Sequence, residues 1–317
     1  MRRAAASQHD RNRECLAAQQ AAIAVTLALT MPVTLIVLFG ALLHASWNAL
    51  VKSSTDKSLD TALIHVLGGA VALPLVCLAG LPPQASLPYL AVSITIHIGY
   101  YVALAGAYKH GDLGLTYPIM RGLAPLLVAI VSGIFIGEYL SMPGWLGVAG
   151  ISAGVLLVGL SRAMFSSNAH RSALAFALSN AVIIAVYTVV DGLGVRVAAQ
   201  HGGSAVQYVA TLFLVDGFPY FIFVMWQRKS QHRVAAWAYM RARWPLALLG
   251  TLASLGSYGI ALWAMTQAPV ATVAALREVS VLFAALLGAV FLKESFGLQR
   301  GAGTLLIVGG VAALRLA

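Results

Sequence analysis

The chain has 317 residues, of which 60% are hydrophobic and only 9% are charged, and its mean hydropathy is +0.85. Soluble domains are about 45–50% apolar and about 25% charged, so this composition excludes a water-soluble globular protein and predicts an integral membrane protein. The net charge of +10 does not predict nucleic-acid binding. In so apolar a chain, Lys and Arg are expected in loops that set membrane orientation and contact anionic lipids.

Ten apolar runs, each near the roughly 20 residues needed to span a bilayer, follow an arginine-rich N-terminal stretch. Their predicted bounds are 31–51, 60–80, 87–108, 115–136, 143–161, 172–191, 205–226, 244–266, 270–292 and 298–316. One long polar connection is predicted, at 227–243. Residues 1–30 are predicted to be a disordered or over-extended N-terminal segment, because Met31 opens a compact span of its own.

The second half of the chain repeats part of the first. A shift of 156 positions superposes residues 100–160 on the end of the chain, and Arg121 then falls on Arg277 and Glu138 on Glu294. Each repeat unit holds five predicted spans, and tandem copies of an odd number of spans must lie upside down relative to each other. We therefore predict an all-α integral membrane protein, with about ten transmembrane helices in two inverted five-helix repeats around a central cavity.

The predicted domains are the extension at 1–30, a first repeat at 31–161 and a second repeat at 162–317. Most loop Lys and Arg residues fall in the connections after the odd-numbered spans. The other face has Arg196, Arg315 and the arginines that precede Met31. The positive-inside rule therefore predicts that the first group of connections is cytoplasmic and that both termini lie outside.

Two arginines lie well inside predicted spans, away from their ends, and a charge costs at least about 2.5–3.5 kcal/mol at the helix centre. Arg121 and Arg277 occupy equivalent positions of the repeat, and their depths place them about 11 Å apart in level, on either side of the midplane. A small anionic group between them would meet either guanidinium or both. The alternative is that each arginine extends to the nearer membrane interface or pairs internally, with Glu278 as an available partner of either one.

Other polar side chains lie inside the predicted spans. Asp216, near the middle of the seventh span, suits proton coupling or contact with an amine, with a packing hydrogen bond as the alternative. In the first span His44 and Asn48 are four residues apart and share a face, with Trp47 beside them, and Tyr187 lies in the sixth span. These four are predicted to line the cavity, and packing between helices is the alternative.

Signatures of catalysis and metal binding are absent from the sequence. It has no HExxH helix, no GxSxG elbow and no Gly-rich phosphate loop with its lysine, so we predict no enzymatic activity and no cofactor. The histidines have no metal-site spacing on one helix. Cys15 and Cys77 fit neither a metal nor a redox motif, so no metal site is predicted. Gly147, Gly150 and Gly154 form a small-residue face that predicts close contact between helices.

Residues 31–316 resemble the EamA-type members of the drug/metabolite transporter superfamily. The resemblance is carried by "HASWN" in the first span, "AYKHGDLGLTYPIMRGLAPLLVAIVSGIFIGEYLSMPGWLGVAGISAGVLLVG" in the first half and "ALWAMTQAPVATVAALREVSVLFAALLGAVFLKESFGLQRGAGTLLIVGGV" in the second. The matching positions are Glu138 and Glu294 at the end of the fourth helix of each half, Gly147, Gly154, Gly303 and Gly310 in the following helix, and Pro125.

The second half departs from this pattern at two places. Val281 stands where the equivalent of Pro125 would fall, and Arg277 and Glu278 occupy positions at which many relatives have uncharged residues. The two charges favour a charged substrate over a generic drug. The segments "HASWNALVK" and "LREVSVLFAALL" also resemble a subgroup found alongside phosphonate use.

The resemblance implies a basket of helices in a bacterial inner membrane, around a cavity that opens alternately to each side. We therefore predict a secondary transporter of a small anionic or zwitterionic metabolite such as an amino acid or a phosphonate. The first, fourth, sixth, seventh and ninth spans would build its cavity. Arg121 and Arg277 would attract the anionic group, and Asp216 or Glu278 would couple protons or hold an amine.

Two other functions stay open at this point. One is export of amphipathic organic cations, with Asp216 and Glu278 binding the substrate. The other is a non-transporting membrane scaffold or lipid-handling partner. The expected partners are a small-molecule substrate and the lipid bilayer, and a homodimer is left open.

Overall fold

The computed structural model describes residues 29–110, 113–159, 170–291 and 297–317, and these ranges form a bundle of α-helices. The helices are α1 (Met31–Lys52), α2 (Lys57–Ala79), α3 (Leu87–His110), α4 (Leu113–Ile136), α5 (Met142–Gly159), α6 (His170–Gln200), α7 (Ala205–Trp226), α8 (Ser230–Met265), α9 (Val270–Arg277), α10 (Ser280–Phe291) and α11 (Leu298–Arg315). A short turn separates α9 from α10, which together make one span, so the described helices make ten spans. Eight of these have the length and apolar composition to cross a bilayer, and α3 and α11 complete the ten.

Helix packing follows the symmetry that two inverted repeats require. The contact of α3 with α6 is matched by that of α8 with α1, and the contact of α4 with α6 by that of α9 and α10 with α1. The pairs α2–α7 and α5–α11 each join equivalent helices of the two halves. The predicted fold class, an all-α membrane bundle of ten spans in two inverted repeats, is confirmed.

The α5–α11 crossing is held together by two glycine pairs that are equivalent under the repeat. A Cβ on Gly154 would lie 2.6 Å from the Gly303 carbonyl oxygen, and a Cβ on Gly147 would lie 2.9 Å from that of Gly310. The two backbones are therefore in direct contact, as expected where small residues let helices approach in a membrane. The prediction of a close-packing glycine face on α5 is confirmed.

Substitution at this crossing is expected to destabilise the protein. In Gly303→Ala the new methyl group would lie 2.9 Å from both the Gly154 carbonyl oxygen and the Val158 amide nitrogen, so α5 and α11 must separate. We expect a loss of about 1–3 kcal/mol, measured by unfolding of the purified protein in detergent. Gly309→Ala, on the same helix, is the matched control, because nothing lies within 4 Å of its Cβ. Equal stability of the two variants would contradict this packing.

The predicted polar connection at 227–243 is wrong, because α8 begins at Ser230 and runs without interruption through it. The segment is polar by hydropathy, but it buries Ala236 and Met240 against the first turns of α2. Arg243 forms an ion pair with Asp60 of α2, at 2.5 Å between Nη2 and Oδ2. The helix therefore extends past the hydrophobic span because it has a helix to pack on.

Several expectations fall on residues that the structure does not describe. They concern residues 1–28 with Cys15, the boundary between the repeats at 161 and 162, and Glu294. The first described residues belong to the bundle. The Thr30 hydroxyl accepts from the Val33 amide at 3.4 Å and caps α1, and the Arg315 guanidinium donates to the Leu29 carbonyl.

Candidate functional site

A buried ion pair joins the two repeats inside the bundle. Arg121 of α4 lies with its Nε 2.9 Å from Oε2 of Glu278, which immediately follows α9. The two residues are 8% and 4% exposed. Arg121 is therefore paired internally, which is one of the predicted alternatives to substrate contact.

His44 of α1, one of the residues predicted to line the cavity, contacts Arg121 of this ion pair. Trp47 and Asn48, also predicted to line the cavity, contact His44. The Arg121 Nη2 lies 2.9 Å from His44 Nε2, and the Trp47 Nε1 lies 3.3 Å from His44 Nδ1. Both neighbours are donors and a neutral imidazole has only one acceptor nitrogen, so the shorter contact fits a neutral His44 that accepts from Arg121. Asn48 donates from Nδ2 to the His44 carbonyl at 2.7 Å.

The environment of Arg277 differs from that of Arg121, its equivalent in the first repeat. The guanidinium carbon of Arg277 lies 5.2 Å from the centre of the Tyr258 ring, within the range of a cation–π contact. No carboxylate of the described residues lies within 4 Å of it, and its Nε makes no hydrogen bond there. The residue is only 8% exposed, so it is a buried cation that no carboxylate of the described residues neutralises by contact.

A tyrosine pair anchors the nearby carboxylate of α6. The Tyr258 hydroxyl donates to Asp191 Oδ2 at 2.5 Å, and the Tyr208 hydroxyl donates to Asp191 Oδ1 at 3.0 Å. Asp191 is completely buried. Tyr187, one turn earlier on α6, is also buried and lies 4.4 Å from His97 between ring centres.

Both arginines and Glu278 face one small cavity between α4, α6 and α9. Thr188 contributes a hydroxyl to its wall, and the rest of the lining is apolar. Its free volume of ≈ 10 Å³ is that of about one water molecule. The structure thus brings Arg121 and Arg277 together in the lining of one small cavity.

The backbone is interrupted at the equivalent position of both repeats. In α4, Pro125 has no N–H to donate to the Arg121 carbonyl four residues earlier. Between α9 and α10, the Val281 N–H donates to the Glu278 carbonyl three residues earlier, at 3.0 Å, and so not to that of Arg277. The second half, which lacks the proline, is interrupted by a tight turn instead, and such turns within a span often mark functional hinges.

Asp216 lies in a second polar group, on α7 against α3. Its Oδ2 accepts from the Tyr101 hydroxyl at 2.6 Å, and its buried Oδ1 has no hydrogen bond within the described residues. The Tyr101 ring lies 5.5 Å from that of His65 and 4.9 Å from that of Tyr220. A cavity of ≈ 50 Å³ adjoins them, with Phe223 in its wall.

The sequence predicts Asp191 at the end of the sixth span, four residues after Tyr187, and nothing in the sequence singles out Tyr258. The sixth span was predicted to end at 191, but α6 continues to Gln200, which puts Asp191 inside the bundle. The sequence does contain a signal for Asp191, because a carboxylate within a membrane-spanning helix is a functional candidate by default. Tyr258 was missed because nothing local links it to Arg277.

Further ion pairs lie at both ends of the bundle. At one end, Glu138 binds Arg196 at 2.5 Å and accepts from the Val270 amide at 2.8 Å, which caps α9. At the other end, Arg228 binds Asp56 at 2.7 Å. Partial burial raises the pKa of Asp56, but hydrogen bonds from the Leu59 amide, the Ser58 hydroxyl and Arg228 outweigh it and hold that pKa below its usual value.

A ten-span bundle of two inverted repeats around buried charges defines a multi-pass membrane protein. Residues 171–316 match the EamA-like transporter family. This match covers the second repeat, and it supports the resemblance predicted from the sequence.

This chain is also similar to individual proteins. An "Uncharacterized transporter in cobO 3'region" from Sinorhizobium sp is 38% identical over 72 residues, which are 23% of this chain and 50% of that protein. The matched region therefore spans half the length of this curated relative. A solved crystal structure, described only as that of a protein, covers 90% of this chain and 96% of its own at 22% identity, with a TM-score of 0.71. This second likeness supports the fold alone.

Proposed function

We propose that the protein is a secondary transporter of a small anionic or zwitterionic metabolite, working by alternating access. The observation that carries this proposal is the environment of Arg277. Two guanidinium groups and one carboxylate face the cavity, and Glu278 is engaged by Arg121. One positive charge is left in excess among these groups, and a buried charge of this kind is costly unless a partner neutralises it. A carboxylate or phosphonate group of the substrate is that partner.

Glu278 is the better candidate for coupling. An anion that binds Arg121 competes with the Glu278 carboxylate, which lies 2.9 Å from the same guanidinium. A displaced Glu278 is free to take a proton or to hold the amine of a zwitterion. Asp216 has no such link to the arginines, because its hydrogen-bond partner is Tyr101 of α3.

Transport in proteoliposomes tests the proposal. Purified protein is reconstituted and loaded with each of a panel of unlabelled compounds: amino acids, short carboxylates, phosphonates and sugar phosphates. Entry of the same labelled compound by exchange is then measured. We expect exchange for at least one anionic or zwitterionic compound, and none with protein-free vesicles. Absence of exchange across the panel would contradict the proposal.

Export of organic cations is a second candidate function, favoured by the group around Asp216. An unpaired carboxylate oxygen beside tyrosine rings is suited to an ammonium group, which both the charge and the ring faces attract. Asp216→Asn separates the two functions. It is expected to abolish resistance of cells to cationic drugs if cations are the substrate, and to leave anion exchange at least half as fast if they are not.

A further inference from the structure

Arg277 is surrounded by acidic groups that do not contact it. Glu278 follows it directly in the chain but pairs with Arg121. Asp191 is buried nearby, but each of its oxygens accepts from a tyrosine hydroxyl, Oδ1 from Tyr208 and Oδ2 from Tyr258. The contact that the structure gives the guanidinium is with the face of the Tyr258 ring.

Tyr258 stands between the acid and the arginine. Its hydroxyl donates to Asp191 at 2.5 Å, and its ring lies 5.2 Å from the Arg277 guanidinium carbon. The hydrogen bond fixes the direction of the phenol, and the Phe213 ring, 5.9 Å away, packs against it. A phenol that donates to a carboxylate also gains electron density, which strengthens its attraction for a cation above the ring.

We propose that Tyr258 and Asp191 are positioning residues that keep Arg277 available for an anion. This inference rests on the proposed function. Tyr258 separates the Asp191 carboxylate from the guanidinium and holds the guanidinium against its ring. Asp191 fixes the ring and favours the charged arginine from a distance. Without the tyrosine side chain, Asp191 pairs with Arg277 directly and takes the place of the substrate's anionic group.

The test measures binding of two probes, acetate and methylphosphonate, to the purified full-length protein. Their dissociation constants come from ligand-induced thermal stabilisation, which depends on ligand concentration by mass action. The melting temperature without ligand is recorded for every variant, because a merely structural role would lower it without changing the dissociation constant. Tyr258→Leu is expected to weaken binding of the better probe about tenfold, and Tyr258→Phe, which keeps the ring, about threefold.

The decisive variant is the double mutant. If Asp191 replaces the anion once the tyrosine is gone, then adding Asp191→Asn to Tyr258→Leu removes the competitor and recovers at least threefold of the lost affinity. A structural role predicts further loss instead, since damage to neighbouring contacts accumulates. Tyr139→Phe is the control, because it removes the hydroxyl of a tyrosine that is 84% exposed and lies outside the site. Its dissociation constant is expected to stay within twofold of the wild-type value.

The outcomes separate this inference from the proposed function. If Arg277→Gln abolishes binding but Tyr258→Leu does not change it, or if the double mutant binds more weakly than Tyr258→Leu, the positioning role is wrong and the anion site stands. If neither probe binds the wild type, or if both bind Arg277→Gln equally well, the anion site itself is wrong and this inference fails with it.

Discussion

Arg277→Gln is expected to raise the KM of the anionic substrate about 10- to 100-fold in proteoliposomes. A hydrogen bond to a charged group contributes about 1.5–3 kcal/mol, and each 1.4 kcal/mol is a factor of about ten in affinity. Arg277 is the cavity arginine without a carboxylate partner among the described residues, so under the proposed function its charge is available to the ligand. Gln removes that charge and keeps a polar side chain of similar reach.

Two further variants make this prediction specific. Arg277→Lys keeps the charge but loses the planar guanidinium, so an intermediate KM is expected. Arg241→Gln removes an exposed arginine of α8 and is expected to leave the KM unchanged. The prediction fails if Arg277→Gln and Arg241→Gln transport with the same KM.

Arg121→Gln is expected to act mainly on stability. It leaves the Glu278 carboxylate buried, 4% exposed, without the cation that lies 2.9 Å from it. Removal of one partner of a buried pair costs about 3–5 kcal/mol, whereas removal of both is often far milder. The single variant is therefore expected to unfold at a markedly lower denaturant concentration in detergent, and the double variant with Glu278→Gln is expected to recover most of the loss.

A partly exposed ion pair supplies the control. Arg228 and Asp56 lie 2.7 Å apart with side chains 24% and 31% exposed, and such pairs contribute about 0–1 kcal/mol. Arg228→Gln should therefore cost much less than Arg121→Gln. Equal losses in the two variants, or no recovery in the double variant, would show that the buried pair does not stabilise the bundle.

Much of the candidate site could be predicted from the sequence. Arg121, Glu278 and Arg277 were selected because charges inside apolar spans are costly, and the repeat placed the two arginines at similar depth. The structure brings all three to one cavity. Asp216 was selected by the same rule, but it lies apart from them against Tyr101, because depth in the membrane says nothing of position around the bundle.

Two predicted helix bounds were wrong because hydropathy detects only the part of a helix that lies within the membrane. Hydropathy ended the sixth span at 191 and began the eighth at 244, but α6 and α8 continue well beyond these residues. In α8 the extension is stabilised by packing on α2, where Met240 lies in a small apolar cluster. The longer α6 matters for the site, because it places the buried Asp191 inside the bundle and not at a helix end.

The sequence by itself determined that this protein is a ten-span bundle of two inverted repeats with buried charges at equivalent positions. It could do so because apolar run length and internal repetition are properties of the chain alone. Only the tertiary structure decided how each charge is used: Arg121 pairs with Glu278, and Arg277 lies over Tyr258. These partners lie on helices far apart in the chain, and helix packing alone sets which side chains come within contact distance.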